Sequence, residues 1–292
     1  MISISTFANE YHGHPVEDLS RLVQAIRQNR RIIWLAGDSS LDNKVWITKR
    51  GEPINGYEKV LSPGTLPVDV SYHLNKIIVE KGQSNEFVCI NCAVEESTLA
   101  SRKDRLLPHD RIIQENIKQG DVLIVSVGGN DIALAPSIST VASLLAITTL
   151  ASDDAIISGH AIGMGHLLHM FGRSTQDYIE KIVSKNENGG VQIIPCMIYY
   201  PALKIVSSTS WADTALYSLG YDSNPKRLQL LIRSAYEHAT TKIQIPKNIM
   251  LACPLFKILD PMNTKDYEAR VEPSAEGGLK MAKALYDLFS QT

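Results

Sequence analysis

The chain has 292 residues, enough to bury one sizeable core, and its 44% hydrophobic and 21% charged composition is that of a globular protein. A formal charge of -2 with no basic run gives no electrostatic reason to expect nucleic acid. Four cysteines do not make a disulfide framework at this length, and reduced thiols suit a cytoplasmic setting.

The chain opens on Met1-Ile2-Ser3-Ile4-Ser5-Thr6, which lacks the basic stretch and apolar core of a signal peptide. Residues 16–28 read as a helix and 31–36 as the first strand. A helix over 68–81 leads to a strand over 87–92, a helix over 110–118 to a strand over 122–127. Cys89-Ile90-Asn91-Cys92 has CxxC spacing but lies along a strand with no second pair, so neither zinc nor redox chemistry is expected there. The stretch from Ile132 to Ser152 carries no charge and approaches membrane-span length. Pro136 and several hydroxyl residues dilute it, and the expectation is a buried or lid-forming helical insertion over 132–172 with no stable membrane span. Helices over 175–185, 225–240 and 276–289 then alternate with strands over 192–197 and 249–253.

Strands alternating with helices imply parallel βαβ units with right-handed crossovers. Val122-Leu123-Ile124-Val125-Ser126-Val127 is apolar almost throughout, as expected when helices cover both sheet faces. The sequence therefore predicts one domain over 1–292, a three-layer α/β/α doubly wound parallel sheet of about five strands. In such sheets ligands bind beyond the carboxyl ends of the strands. Gly37-Asp38-Ser39 follows the first strand there, and Gly128-Gly129-Asn130-Asp131 follows the third. Ser39 would present its hydroxyl from a first helical turn, its amide facing an oxyanion. The Asn130 side chain would donate to the same oxyanion, a contact worth about 2.7–4 kcal/mol where such donors have been removed. Taken singly, Ser39 could be a helix cap, and Asn130 and Asp131 turn formers.

Gly37-Asp38-Ser39, Gly128-Gly129-Asn130-Asp131 and Glu272-Pro273-Ser274-Ala275-Glu276-Gly277 together resemble the blocks of the SGNH/GDSL hydrolases, over most of the chain. The resemblance implies a flavodoxin-like sheet and ester or acetyl hydrolysis through Ser39, with the Ser39 amide and Asn130 as oxyanion hole. Asp38, Glu96, Gly129 and Asp131 would line the site; a small-molecule ester is the implied partner, and no cofactor or metal is implied. Three positions depart from the family pattern. The histidine is Glu272, the aspartate three residues earlier is Ala269, and Glu96 or its neighbour Glu95 stands where an oxyanion-hole glycine belongs.

An ordinary glutamate titrates near 4.3, about two units below histidine, so Glu272 would be a weaker base unless burial or a second carboxylate, with Asp266 nearby as orienter, raises it. An ionised glutamate at the oxyanion would oppose the developing charge. The function expected is therefore a serine hydrolase with a glutamate base. The alternative is a catalytically inactive descendant that binds a ligand or partner. A weaker reading gathers Asp38, Glu96, Asp131 and Glu272 around a divalent cation. Within the cluster of His160, His166 and His169, the last two would share a helix face and are read as a pair of partly exposed helix histidines, with a lid over the site as the alternative. Trp34 and Trp46 are read as packing residues, Trp211 as a rim residue, and Tyr199 as substrate contact or loop support.

Overall fold

Hydrophobic period sorts the chain into its elements. In chain order these are α1 (Ile4–Asn9), α2 (Val16–Ile26), β1 (Arg31–Gly37), β2 (Arg50–Gly51), β3 (Leu66–Pro67), α3 (Val70–Glu80), β4 (Phe87–Asn91), α4 (Pro108–Asn116), β5 (Val122–Ser126), α5 (Gly129–Ala133), α6 (Ile138–Leu150), α7 (Asp153–Ile157), α8 (Met164–His169), α9 (Thr175–Val183), β6 (Gln192–Met197), α10 (Asp213–Ser218), α11 (Pro225–His238), β7 (Ile249–Met250), β8 (Cys253–Pro254) and α12 (Ala275–Ser290). The computed structural model describes residues 1–134, 136–203 and 212–291.

Among these residues the main sheet runs β4-β1-β5-β6-β7, all parallel, with β8 also on β6. β7 pairs with Gln192 and Ile193 and β8 with Cys196 and Met197, so the two short pieces share one edge position. Counted that way, the order is second-first-third-fourth-fifth, the flavodoxin-like winding with its switch point between β1 and β5. β2 and β3 form a separate antiparallel ribbon that the apolar pattern had not disclosed.

Alternate residues of each strand enter opposite cores. Ile32, Trp34, Val88, Ile90, Leu123 and Val125 pack with α2, α4, α9 and α11. Ile33, Leu35, Cys89, Val122 and Ile124 pack with α3 and α12 on the other face. Every residue of β4 and β5 is buried, which is why both read as continuous apolar runs. α2 shows the complementary helical period, burying Leu19, Leu22, Val23 and Ile26 along one stripe.

The uncharged stretch becomes α6, whose Leu144 and Ile147 are buried while Val141 and Leu150 are exposed. No helix among the described residues is long and apolar enough to cross a membrane. Of residues 132–172 that are described, Ile132, Ala133 and Leu134 border the cavities at Ser39. The later part of the stretch packs instead against α11, where Ser234 donates to the Ile156 carbonyl at 2.6 Å and Arg227 to that of Ile147 at 2.7 Å.

Candidate active site

β1 ends at Gly37, with φ +140, where a Cβ would lie 1.8 Å from the Ser126 carbonyl oxygen. Only glycine allows β1 and β5 to stay paired to this point and then turn. Ser126 also holds the turn beyond: its carbonyl accepts from the Asp38 amide at 3.1 Å, and its hydroxyl is hydrogen-bonded with that of Ser40 at 2.7 Å. Ser39 therefore sits in a turn closed by bonds from the Leu41 and Asp42 amides to the Asp38 carbonyl, rather than in a first helical turn. The connection continues through the β2–β3 ribbon before reaching α3, so no helix starts at Ser39. The Ser39 amide donates to no described residue.

Glu272 arrives from the far end of the chain. The Ser39 hydroxyl donates to Glu272 Oε1 at 3.2 Å, across 233 positions of sequence, and Glu272 is only 2% exposed. Its loop is clamped on both sides. Arg270, buried and left-handed at φ 45, donates to Asp213 at 3.2 Å, Asp222 at 2.7 Å and the Ala202 carbonyl at 3.2 Å. Tyr199 donates to the Val271 carbonyl and Asn43 to that of Pro273. Tyr199 thus supports this loop and also walls a cavity at Ser39, with its hydroxyl pushed well above the usual range by burial and by the charges of Glu272 and Asp38. Ser274 caps α12 through the Glu276 and Gly277 amides, both at 3.1 Å, and Gly277 gives α12 its close approach to the Asp266 carbonyl. That accounts for the Pro-Ser-x-x-Gly pattern.

Asp266, expected to orient Glu272, is occupied elsewhere. Its oxygens take Lys280 at 2.7 Å, Asn263 at 2.8 Å and the Asp260 amide at 3.0 Å, which makes it the anchor of the loop before α12.

Gly128, left-handed at φ 99, starts α5 and places Asn130 and Asp131 in its first turn. Asn130 is buried; its amide donates to the Ser97 carbonyl at 3.0 Å, leaving one of its two N–H groups for a ligand. Gly129 lines the site with Asp38. Asp131 turns the other way: its carboxylate accepts from the Leu99 amide at 2.8 Å and the Ala100 amide at 3.1 Å. Its place is under the 97–100 loop, outside the walls of the two cavities at Ser39.

Glu96 takes a left-handed backbone, φ 59, the conformation a glycine adopts most readily. Its carboxylate is exposed and drawn outward, accepting from the Tyr11 hydroxyl at 2.8 Å with His12 Nδ1 at 3.9 Å. Neighbouring Glu95 points inward at 1% exposure, to Lys44 at 2.9 Å and the Gly13 amide at 2.6 Å. Burial, then the charge of Asp42, raises its carboxyl to about 7, against the pull of Lys44. Asp38 is raised to about 6 by burial, opposed by two bonds from Ser40.

Ser39, Asn130 and Glu272 stand between two cavities. One, of about 90 Å3, is walled largely by aliphatic side chains of α5, α10, α11 and the loop after β6. The other, of about 160 Å3, is bordered by Tyr11, Trp46, Glu95, Glu96 and Leu134. Trp46 is therefore a wall residue rather than packing, a role its lone place in a loop could not announce. Trp34 is buried in the core and donates to Asp121 at 3.0 Å. Trp211 lies outside the described residues. No histidine borders either cavity among the described residues; His166 and His169 line a third, separate space of about 320 Å3. Among the described residues no three His, Cys, Asp or Glu side chains are grouped to hold a metal ion, which removes the cation reading of Asp38, Glu96, Asp131 and Glu272.

No protein-family model matches the chain, and a search of curated proteins finds no match. Solved structures similar to it include a GDSL-like lipase candidate from Parabacteroides merdae, 14% identical, with 90% of this chain and 96% of that one covered at a TM-score of 0.47. A carbohydrate esterase family 3 protein from Talaromyces cellulolyticus is 10% identical, with 90% and 97% covered at 0.45. An acetyl xylan esterase from Geobacillus stearothermophilus is 12% identical, with 88% and 93% covered at 0.43.

Proposed function

We propose that the protein is a serine hydrolase that cleaves a small-molecule ester by acyl transfer through Ser39. The observation that carries this reading is the 3.2 Å bond from the Ser39 hydroxyl to Glu272, set between an apolar and a polar cavity. A serine hydroxyl attacks only when a base takes its proton in the transition state, and Glu272 is the group in reach. Ser39 Oγ adds to the ester carbonyl as its proton passes to Glu272. The oxyanion is met by the Ser39 amide and the remaining N–H of Asn130. Collapse expels the alcohol, which takes the proton back from Glu272. Water, deprotonated by the same carboxylate, then releases the acid. The apolar cavity would hold the acyl group and the polar one the alcohol. Glu96 borders the polar cavity, where the Tyr11 hydroxyl donates to its carboxylate at 2.8 Å. The chain would act as one domain, with 132–172 contributing its first residues to the site.

Stoichiometric labelling of Ser39 by an organophosphonate, with hydrolysis of short aryl esters across pH 4 to 9, tests the proposal. Both should disappear in Ser39→Ala. Hydrolysis that persists unchanged in that variant would sink the reading. The engagement of Asp266 by Lys280 favours the second reading, a ligand-binding protein that has lost turnover, and stoichiometric labelling of the native chain would count strongly against it.

A further inference from the structure

Besides Ser39, Asn130 and Glu272, the largely apolar cavity beside Ser39 has a second carboxylate in its wall. Asp38 is 4% exposed, and its two oxygens are treated differently. Oδ1 accepts from the Ser40 amide at 3.1 Å and the Ser40 hydroxyl at 2.7 Å. Oδ2 is buried and accepts from no described residue. A Cβ built on Gly129 would lie 3.7 Å from this oxygen and 3.9 Å from Ile198 Cγ2, and all three residues wall the cavity. Leu216, Leu228 and Ile232 also wall it. A buried acceptor without a donor costs about 1–3 kcal/mol, and more when charged. An occupant of the cavity that approaches Oδ2 can meet that cost only by supplying the donor itself.

We infer, resting on the reading of Ser39 as nucleophile, that this cavity takes a short acyl group carrying a hydrogen-bond donor, a hydroxyl or an ammonium, directed at Asp38 Oδ2. A plain alkyl chain would fit the aliphatic wall and leave Oδ2 dry. Sites built around a buried polar atom reject the analogue lacking its partner far more strongly than apolar sites reject an extra methylene. The volume of about 90 Å3 suits a short chain.

Calorimetric titration of the full chain with butanamide, 3-hydroxybutanamide and 3-aminobutanamide tests this without requiring turnover. At least one donor-bearing amide should bind about tenfold more tightly than butanamide, the equivalent of one neutral hydrogen bond. Whichever does so distinguishes hydroxyl from ammonium. Asp38→Asn keeps an oxygen for Ser40 and puts an N–H donor where Oδ2 was, so the preference should vanish. Equal affinities for the native chain, including no binding by any of the three, overturn the inference whether or not the variant folds. So does a preference that survives Asp38→Asn. Phosphonate labelling separates the two proposals. Labelling without preference removes the donor alone, whereas preference without labelling removes the acyl identity together with the hydrolase reading.

Discussion

Ser39 and Glu272 meet because two loops with different constraints converge. Ser39 is held by the Ser126 clasp on its turn, and Glu272 by Arg270, Tyr199 and Asn43 around its loop. A carboxylate preset at hydrogen-bond distance needs little reorganisation to accept the proton. If it is the base, Glu272→Gln keeps size and burial yet removes the proton acceptor. Ester turnover should then fall about 10²–10⁴-fold, the usual contribution of a positioned base, with thermal stability little changed. A pH–rate profile checks it: the limb on which the native chain loses activity toward acid should be absent from the residual rate. Glu96 shows why residue type alone misleads at this scale. By identity it threatens an oxyanion; by placement its backbone takes the conformation a glycine favours, while its carboxylate is bonded by Tyr11 at the border of the polar cavity.

At the scale of elements, the site is made by the ends of β1 and β5, neighbours at the point where the winding reverses direction. Gly37 is where that geometry is least forgiving. A methyl group there would meet the Ser126 oxygen at 1.8 Å in a backbone region that other residues rarely adopt. Gly37→Ala should destabilise the fold by about 3 kcal/mol or more, at the high end for single substitutions, and lower phosphonate labelling even in the folded fraction. Chemical denaturation followed by far-UV circular dichroism gives the first quantity. The other end of the same strands depends on Asp121, fully buried and accepting from Arg27, Trp34 and the Ile32 and Lys118 amides at 2.8–3.0 Å. That hub ties α2, β1 and β5 together far from the chemistry.

Across the whole molecule, buried ionisable groups set the response to pH. Lys44 is wholly buried between Asp42 at 2.7 Å and Glu95 at 2.9 Å. Glu95 is raised to about 7 in the fold, mainly by burial, from about 4.3 in an unfolded chain. The native state thus binds its proton more tightly, and this contribution is complete below about 4.3 and lost as pH rises through about 7. Asp38 and Asp69, each raised to about 6 by burial, act in the same sense. His14, lowered to about 3 by burial, opposes them: its contribution is lost as pH falls from about 6.5 toward 3. Lys44→Met removes the cation and leaves two carboxylates facing each other. At pH 7.5 the loss should be about 3–5 kcal/mol, as when one member of a buried ion pair is deleted. At pH 5, where Glu95 is protonated, it should be clearly smaller. Urea unfolding of both chains at the two pH values measures the difference.

Periodicity and strand-end chemistry are local properties, and they determined most of the architecture. The strands over 31–36, 87–92, 122–127 and 192–197, the helices between them and the convergence of Ser39 with Asn130 were all legible in the sequence. So was Glu272 as the residue delivered opposite Ser39. The broken edge of β7 and β8, the β2–β3 ribbon and the turn at Ser39 were not, because two-residue pairings and tight turns carry too short a pattern to register. Only the tertiary structure decided which carboxylates act together. Proximity in sequence points to Asp266 as the partner of Glu272, but Lys280, one helix turn into α12 and beyond, engages it instead. Asp131 was grouped with Asn130, yet successive positions in a helical turn point about 100° apart, and it serves the 97–100 loop instead. Charges and hydrogen-bond donors act over a few ångströms of space, and the chain alone does not say which of its distant segments will share them.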